Sequence, residues 1–237
     1  MHRKLTLLLL LVLFAVPARG EVPLTPHTAI YKVSISVLGG ELRTSLRETP
    51  TGFEATHTIH ATGISSLLAS GELKETSQFD TAPDGVRPRV YRSRDTLTKD
   101  KIDATVRFDW DAGEARGVVN GEQLVTPIEG LAHDRVSIQY ELMQDLLNGQ
   151  PGDFYQMFEV DKLRPVDITI VGHKQVKVPA GKFNVVGVRH QAEGSKRATT
   201  LWCAKELGYL PVIIEQYRKE KLKARASLLE YRPAKKR

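Results

Sequence analysis

The feature that most constrains this chain is alternation with period two, repeated along nearly its whole length. In TAIYKVSISVL, Ala29, Tyr31, Val33, Ile35 and Val37 fall on one side, and Lys32, Ser34 and Ser36 on the other. FEATHTIHA sets Phe53, Ala55, His57, Ile59 and Ala61 against Glu54, Thr56, Thr58 and His60. KIDATVRFDWD does the same with Ile102, Ala104, Val106, Phe108 and Trp110 against Asp103, Thr105, Arg107 and Asp109. Successive side chains on a strand point to opposite faces, so this pattern describes antiparallel sheet with one wet face. Gly39-Gly40, Pro50 with Gly52, Asp111-Ala112-Gly113, Asn120-Gly121 and Pro179-Ala180-Gly181 carry the turn chemistry that joins such strands into a meander. A long meander with one apolar face curls around that face.

One segment breaks the rhythm. DRVSIQYELMQDLLNG has Val136, Tyr140, Met143 and Leu147 on one helical stripe, with Leu142 and Leu146 beside it. Asp134 is the expected N-cap, and Gly149 with Pro151 the stop. The expected fold is mainly β (α+β): a curved antiparallel sheet, a half-barrel or open barrel, packed on one long helix at Asp134 to Asn148.

The first twenty residues read as an address. Arg3 and Lys4 precede an apolar run from Leu5 to Val16, Pro17 breaks it, and Ala18-Arg19-Gly20 offers a small-residue cleavage site. This is the order of a secretory signal peptide, and the run is short for a membrane span. The expected organisation is therefore a signal peptide over 1–20, a single antiparallel β-rich domain over 21–231 and a basic flexible tail over 232–237. The expected location is exported, periplasmic and soluble, with no transmembrane segment after cleavage.

Cleavage removes Arg3, Lys4 and Arg19 from the 34 basic residues and none of the 28 acids, so the net charge falls from +6 to +3. Arg232, Lys235, Lys236 and Arg237 in the tail hold more than that excess. The body is near neutral, and no nucleic-acid surface is expected. The one cysteine, Cys203 between Trp202 and Ala204, cannot form an internal disulfide and reads as a small buried strand residue.

Motifs for chemistry are missing. Gly63-Ile64-Ser65-Ser66-Leu67 fails as a nucleophile elbow at its last position. His57 and His60 lie on opposite faces of a strand, so no metal site is expected there. His133-Asp134 and Ser137 lie close together at a helix start, where capping accounts for the aspartate. No catalytic residue and no cofactor is assigned, and a binding role is preferred to an enzymatic one. The candidate ligand-binding residues are Phe53, Ile64, Leu67, Leu68, Phe108 and Trp110. GISSLLASG is expected to lie as a short helical turn over the open end of the curve, with Ile64, Leu67 and Leu68 facing inward.

Several stretches together resemble an exported bacterial family, domain of unknown function 3108. They are AIYKVSISVLG, GVRPRVYRSRD, VRFDWDAGEA, Val118-Val119-Asn120-Gly121, VKVPAGKFNVVGVRH and LWCAKELGYLPVIIE, with the helix after Asp134. The closing strands, with Trp202, Gly208 and Pro211, are also similar at fold level to periplasmic lipoprotein carriers and related half-barrels. That resemblance implies a sheet wrapped on a helix with an apolar groove. The expected function is a non-enzymatic periplasmic carrier for a lipid or other amphipathic envelope component. The alternatives are a structural partner in a cell-envelope complex without a small ligand, and an enzyme acting on cell-wall polysaccharide.

Overall fold

The structure, a computed structural model, describes residues 23–67, 70–98, 101–149, 151–159 and 162–234. The expected leader, 1–20, therefore lies outside the described residues, as do Leu68 and the tail residues 235–237.

The strands are β1 (His27–Ile35), β2 (Leu38–Thr49), β3 (Gly52–Ala61), β4 (Glu72–Ala82), β5 (Gly85–Asp95), β6 (Asp103–Asp109), β7 (Glu114–Val119) and β8 (Glu122–Pro127). After the two-residue β9 (Ala132–His133) comes the helix α1 (Ser137–Asn148). The chain continues through β10 (Phe154–Glu159), β11 (Lys162–Val178), β12 (Gly181–Ala192), β13 (Arg197–Ala204), β14 (Leu210–Arg218) and β15 (Lys221–Pro233). All belong to one sheet in the order β8-β7-β6-β5-β4-β3-β2-β1-β15-β14-β13-β12-β11-β10-β9. The first and last strands thus meet in the middle, with Thr28 opposite Arg232 and Ser34 opposite Arg225. The sheet is curved but not closed, and β9 lies against β5 across the opening. The expected curved antiparallel sheet on one helix is the observed architecture; the exception to antiparallel pairing is β9 with β10.

Alternation sets the phase of each strand. Ala29, Tyr31 and Val33 are buried and Lys32 is exposed; Ala104, Val106 and Phe108 are buried while Asp103, Thr105 and Asp109 are exposed. The β1 pattern overshoots the core, however. Ile35 and Val37 continue the period but are exposed, because the strand ends at Ile35 and the chain turns at Ser36, whose φ is 55°. That also corrects the expected Gly39-Gly40 turn: both glycines lie inside β2. Asn120 and Gly121, with φ of 51° and 86°, do form the turn between β7 and β8.

The helix is buried nearly all round rather than along one stripe. Val136, Tyr140 and Met143 join the larger core cluster with Tyr31, Phe79, Val106 and Phe158. Ile138, Leu142 and Leu146 face a second cluster with Val166, Val188, Leu201 and Cys203. A helix wrapped by a sheet has no wet face, so its polar residues need partners. Glu141 Oε2 accepts the Val86 amide at 2.5 Å. A Cβ on Gly85 would stand 2.5 Å from the other carboxylate oxygen, so only glycine lets the β4–β5 turn approach the helix this closely. The helix proper begins at Ser137, later than expected, but Asp134 does cap the turn that leads in. Its Oδ1 accepts the Val136 and Ser137 amides at 2.8 Å each, and Ile138 N donates to its carbonyl at 3.1 Å.

At the far end of the chain, β15 runs to Pro233, which pairs with His27. The first two residues of the expected tail are therefore strand.

Candidate functional site

An apolar groove of about 680 Å³ opens where the C-terminal end of α1 meets β11, β12 and β13. Such a volume is within the roughly 300–1,000 Å³ of small-molecule sites. Leu146 comes from the helix, Ile170 from β11, Val185 and Val186 from β12, Cys203 from β13, and Tyr209 from the turn after it. Lys174, Lys205, His173 and Asn184 give its polar lining, and no Asp or Glu is among the described lining residues.

Local sequence explains the shape. A register shift between Ile170 and Gly172 leaves Val171 as an extra residue, and such bulges bend a strand. Gly187 lies beneath the Trp202 ring: a Cβ there would stand 2.5 Å from a ring carbon. The indole is fixed by its Nε1, which donates to Glu215 Oε2 at 3.0 Å, and Lys174 Nζ lies 3.3 Å from the ring centroid. Gly149 ends the helix with its amide donating to Asp145 O at 2.9 Å, which leaves the groove's helix wall short. The Cys203 side chain is fully buried, and burial pushes its thiol well above the ordinary range, so it is a wall atom and not a nucleophile.

The residues singled out from the sequence lie elsewhere. Phe53 stacks on Phe79 at 5.8 Å, and Phe79 on Tyr140 at 5.3 Å. Phe108 stacks on Trp110 at 6.2 Å and meets the edge of Phe158 at 6.1 Å. Trp110 Nε1 donates to Pro88 O at 2.8 Å, with Arg87 over its ring at 5.5 Å. The part of the curve these aromatics occupy is filled by them and by the helix, and none of them lines the groove.

Gly63–Leu67 is a 3-10 turn, as its length suggested, but it does not face inward. Ile64 and Leu67 are exposed, and the buried member is Ser65, whose Oγ accepts the Gly39 amide at 2.7 Å. The polar residue goes in because that amide needs an acceptor, and the aliphatic neighbours are turned out in consequence. Leu68 lies outside the described residues.

The groove residues carried one overlooked signal. Val185 and Val186 are consecutive, so both faces of β12 are apolar there, and they belong to different core clusters. A strand with two dry faces marks the place where the sheet packs on both sides.

The polar cluster at the helix start is structural. Ser77 Oγ donates to Asp134 Oδ2 at 2.5 Å, Tyr91 OH to Glu75 Oε1 at 2.6 Å, and Arg135 lies 3.4 Å from Glu75. Burial raises the Asp134 carboxyl to about 6 against the hydrogen bonds that favour its anion. His133 is fully buried and burial lowers it to about 3, so its imidazole is neutral.

No curated protein matches the chain. Among solved structures it is similar to a beta-barrel-like protein of domain of unknown function DUF1849 from Brucella abortus. The identity is 15%, with 90% of this chain and 100% of that chain covered and a TM-score of 0.56. A protein with a YmcC-like fold from Bacteroides fragilis is 13% identical over 87% of this chain and 95% of that one, with a TM-score of 0.33. The first of these likenesses speaks for the barrel-like fold alone. The model of the protein family of unknown function DUF3108 matches residues 28–220, from β1 to the turn before β15, and the chain belongs to that family.

Proposed function

We propose that the protein is a non-enzymatic carrier of the bacterial envelope, exported to the periplasm, that holds a lipid or other amphipathic molecule in the groove beside the end of α1. The observation that carries this reading is the groove: apolar walls from Leu146, Ile170, Val185 and Val186, with Lys174, Lys205 and Asn184 for a head group rich in acceptor oxygens. The groove's described lining residues hold no carboxylate pair of the kind glycoside hydrolysis uses, which favours the carrier over an enzyme acting on polysaccharide at this groove. The order of residues 1–20 supports export, and among the described residues no helix is long and apolar enough to cross a membrane.

Covering about ten methylenes gains roughly 8 kcal/mol gross, the equivalent of micromolar binding before association costs weaken it, so head-group contacts are needed to hold the affinity near micromolar. Two measurements test the reading. Native mass spectrometry of protein purified from the bacterial envelope, with lipid extraction, shows a co-purifying amphiphile. A fluorescent fatty acid binds the wild type, and Ile170→Glu, at a half-exposed wall position, abolishes binding with little change in melting temperature. If no amphiphile co-purifies and no probe binds below its solubility limit, the carrier reading fails. A structural partner in an envelope complex then takes its place, consistent with the filled aromatic end of the curve.

A further inference from the structure

Six of the exposed aliphatic residues among the described residues gather at one end of the sheet, apart from Val118, Val125, Ile170, Val171 and Leu229. The turn between β1 and β2 carries Ile35, Val37 and Leu38, exposed by 49%, 94% and 41%. The 3-10 turn carries Ile64 and Leu67, at 80% and 84%. The two turns are tied side by side, with Thr62 N donating to Gly39 O at 3.0 Å and Gly39 N to Ser65 Oγ at 2.7 Å. Because Ser34 pairs with Arg225, the start of β15 lies at this same end of the sheet and brings Leu222, also half exposed.

Beside them is a belt of cations. Lys219, Lys221 and Lys223 occupy the β14–β15 turn and its exit; Arg218 closes β14, and Lys196 and Arg197 open β13. All six are exposed, and none makes an ion pair with a described residue. Arg197 stands directly opposite Arg218 across the ladder, and Lys219 N donates to Lys196 O, so like charges are held together. Directly opposed like charges destabilise a sheet. Of the acids at this end, Glu215 is engaged by Arg225 and Glu220 by Arg189; Glu193 and Asp167 lie beside the belt, and Glu72 and Asp103 stand at the starts of β4 and β6.

We propose that this end of the sheet docks on an anionic lipid bilayer. The aliphatic tips enter the boundary between head groups and acyl chains, and the flanking cations lie over the lipid phosphates. Strands are about 4.8 Å apart, so β2, β1, β15 and β14 present a contact about 15–20 Å wide. The aliphatic side chains sit on separate turn tips rather than in a continuous plane, which suits a deformable surface better than a shaped protein partner. Unpaired, opposed cations call for a dense array of anions, which a bilayer supplies. The groove lies toward the opposite ends of β12 and β13, so this surface stands whether or not the groove holds a ligand.

Co-sedimentation of the protein recovered from the envelope tests it. Vesicles of phosphatidylglycerol and phosphatidylethanolamine should retain the wild type at least about tenfold better than vesicles of phosphatidylcholine alone, and added salt should release it. Val37→Glu/Leu67→Glu should reduce binding by more than about tenfold, and Lys221→Gln/Lys223→Gln by about fivefold per cation removed. Both pairs are exposed, so melting temperatures should stay at the wild-type value. Arg218→Gln/Lys219→Gln gives an independent second test should either pair disturb folding. The same N-terminus is present in every variant, so the differences between variants report on this surface alone. Equal retention by the two vesicle types, or unchanged binding of the variants, overturns the proposal. So does association with a second protein without any binding to vesicles.

Discussion

Phe108 and its neighbour Asp109 show what single positions decide. Phe108 is 6% exposed and packed between Trp110 and Phe158, whereas Asp109 faces water and its Oδ1 accepts the Ala112 amide at 3.0 Å. Phe108→Asp should cost well over the about 3–5 kcal/mol of a lost core aromatic, since it also buries a charge; Asp109→Phe should cost a small fraction of that. Equal melting temperatures for the two would mean the strand phase is wrong. Histidines at this scale set the response to acid. Burial lowers His57 and His190 to about 4 and His133 to about 3, below the unfolded value of about 6.5. The unfolded chain therefore binds more protons between those values. The stability these rings contribute is complete above about pH 6.5 and is lost as pH falls toward 4, by at most about 1.4 kcal/mol per pH unit for each. Urea midpoints should fall steeply over that window, and His133→Phe should flatten the slope. The phase of these strands was legible because period two fixes it. The exposure of Ile35 and Val37 was not, because alternation says which face a residue takes and nothing about where the partner layer ends.

At the scale of elements, α1 was legible from its spacing and its stop signals, but its surroundings were not. A stripe predicts one buried face; Gln139, Glu141 and Gln144 are buried as well, because the sheet folds around the helix from both sides. No spacing within the helix reports that it is wrapped; the one local sign was the consecutive Val185-Val186 on β12, and without it the groove at the helix C-terminus was missed while aromatics in the filled part of the curve were chosen. The cap at the other end offers a test. Asp134 is raised to about 6 in the folded protein, against about 3.8 unfolded, so here the folded state holds the extra proton. Its contribution is largest below about pH 4 and is lost as pH rises through 6, opposite in sign to the histidines. Asparagine caps as well as aspartate and does not titrate. Relative to Asp134→Asn, the wild type should lose about 2 kcal/mol between pH 4 and pH 7. A difference between the two proteins that does not vary with pH would show that Asp134 is ionised alike in both states.

For the whole molecule, the organising fact is the seam between β1 and β15. Two meanders, β1 to β8 and β9 to β15, are joined in sequence at their outer edges and in space at their first and last strands. Adjacent hairpins were legible from turn chemistry; the seam was not, because it pairs residues about two hundred positions apart and no local signal encodes that. It carries a kinetic burden, since closing so long a loop has to precede the pairing. The outer ends of β1 and β15 make a test practical: Ala234 N donates to Pro26 O at 2.8 Å, so a short linker joins these two residues without strain once the segments beyond them are removed. A permutant linked there and opened at the exposed Glu129-Gly130 keeps every strand pair. Shortening the seam's loop from about two hundred residues to about ten saves roughly 2–3 kcal/mol of closure entropy. If the seam forms in the transition state, refolding should accelerate by one to two orders of magnitude while circular dichroism stays that of the parent. Stopped-flow refolding with an unchanged rate in a well-folded permutant would place the seam after the barrier. The two meanders would then fold first as separate units, with the helix as the surface on which they meet.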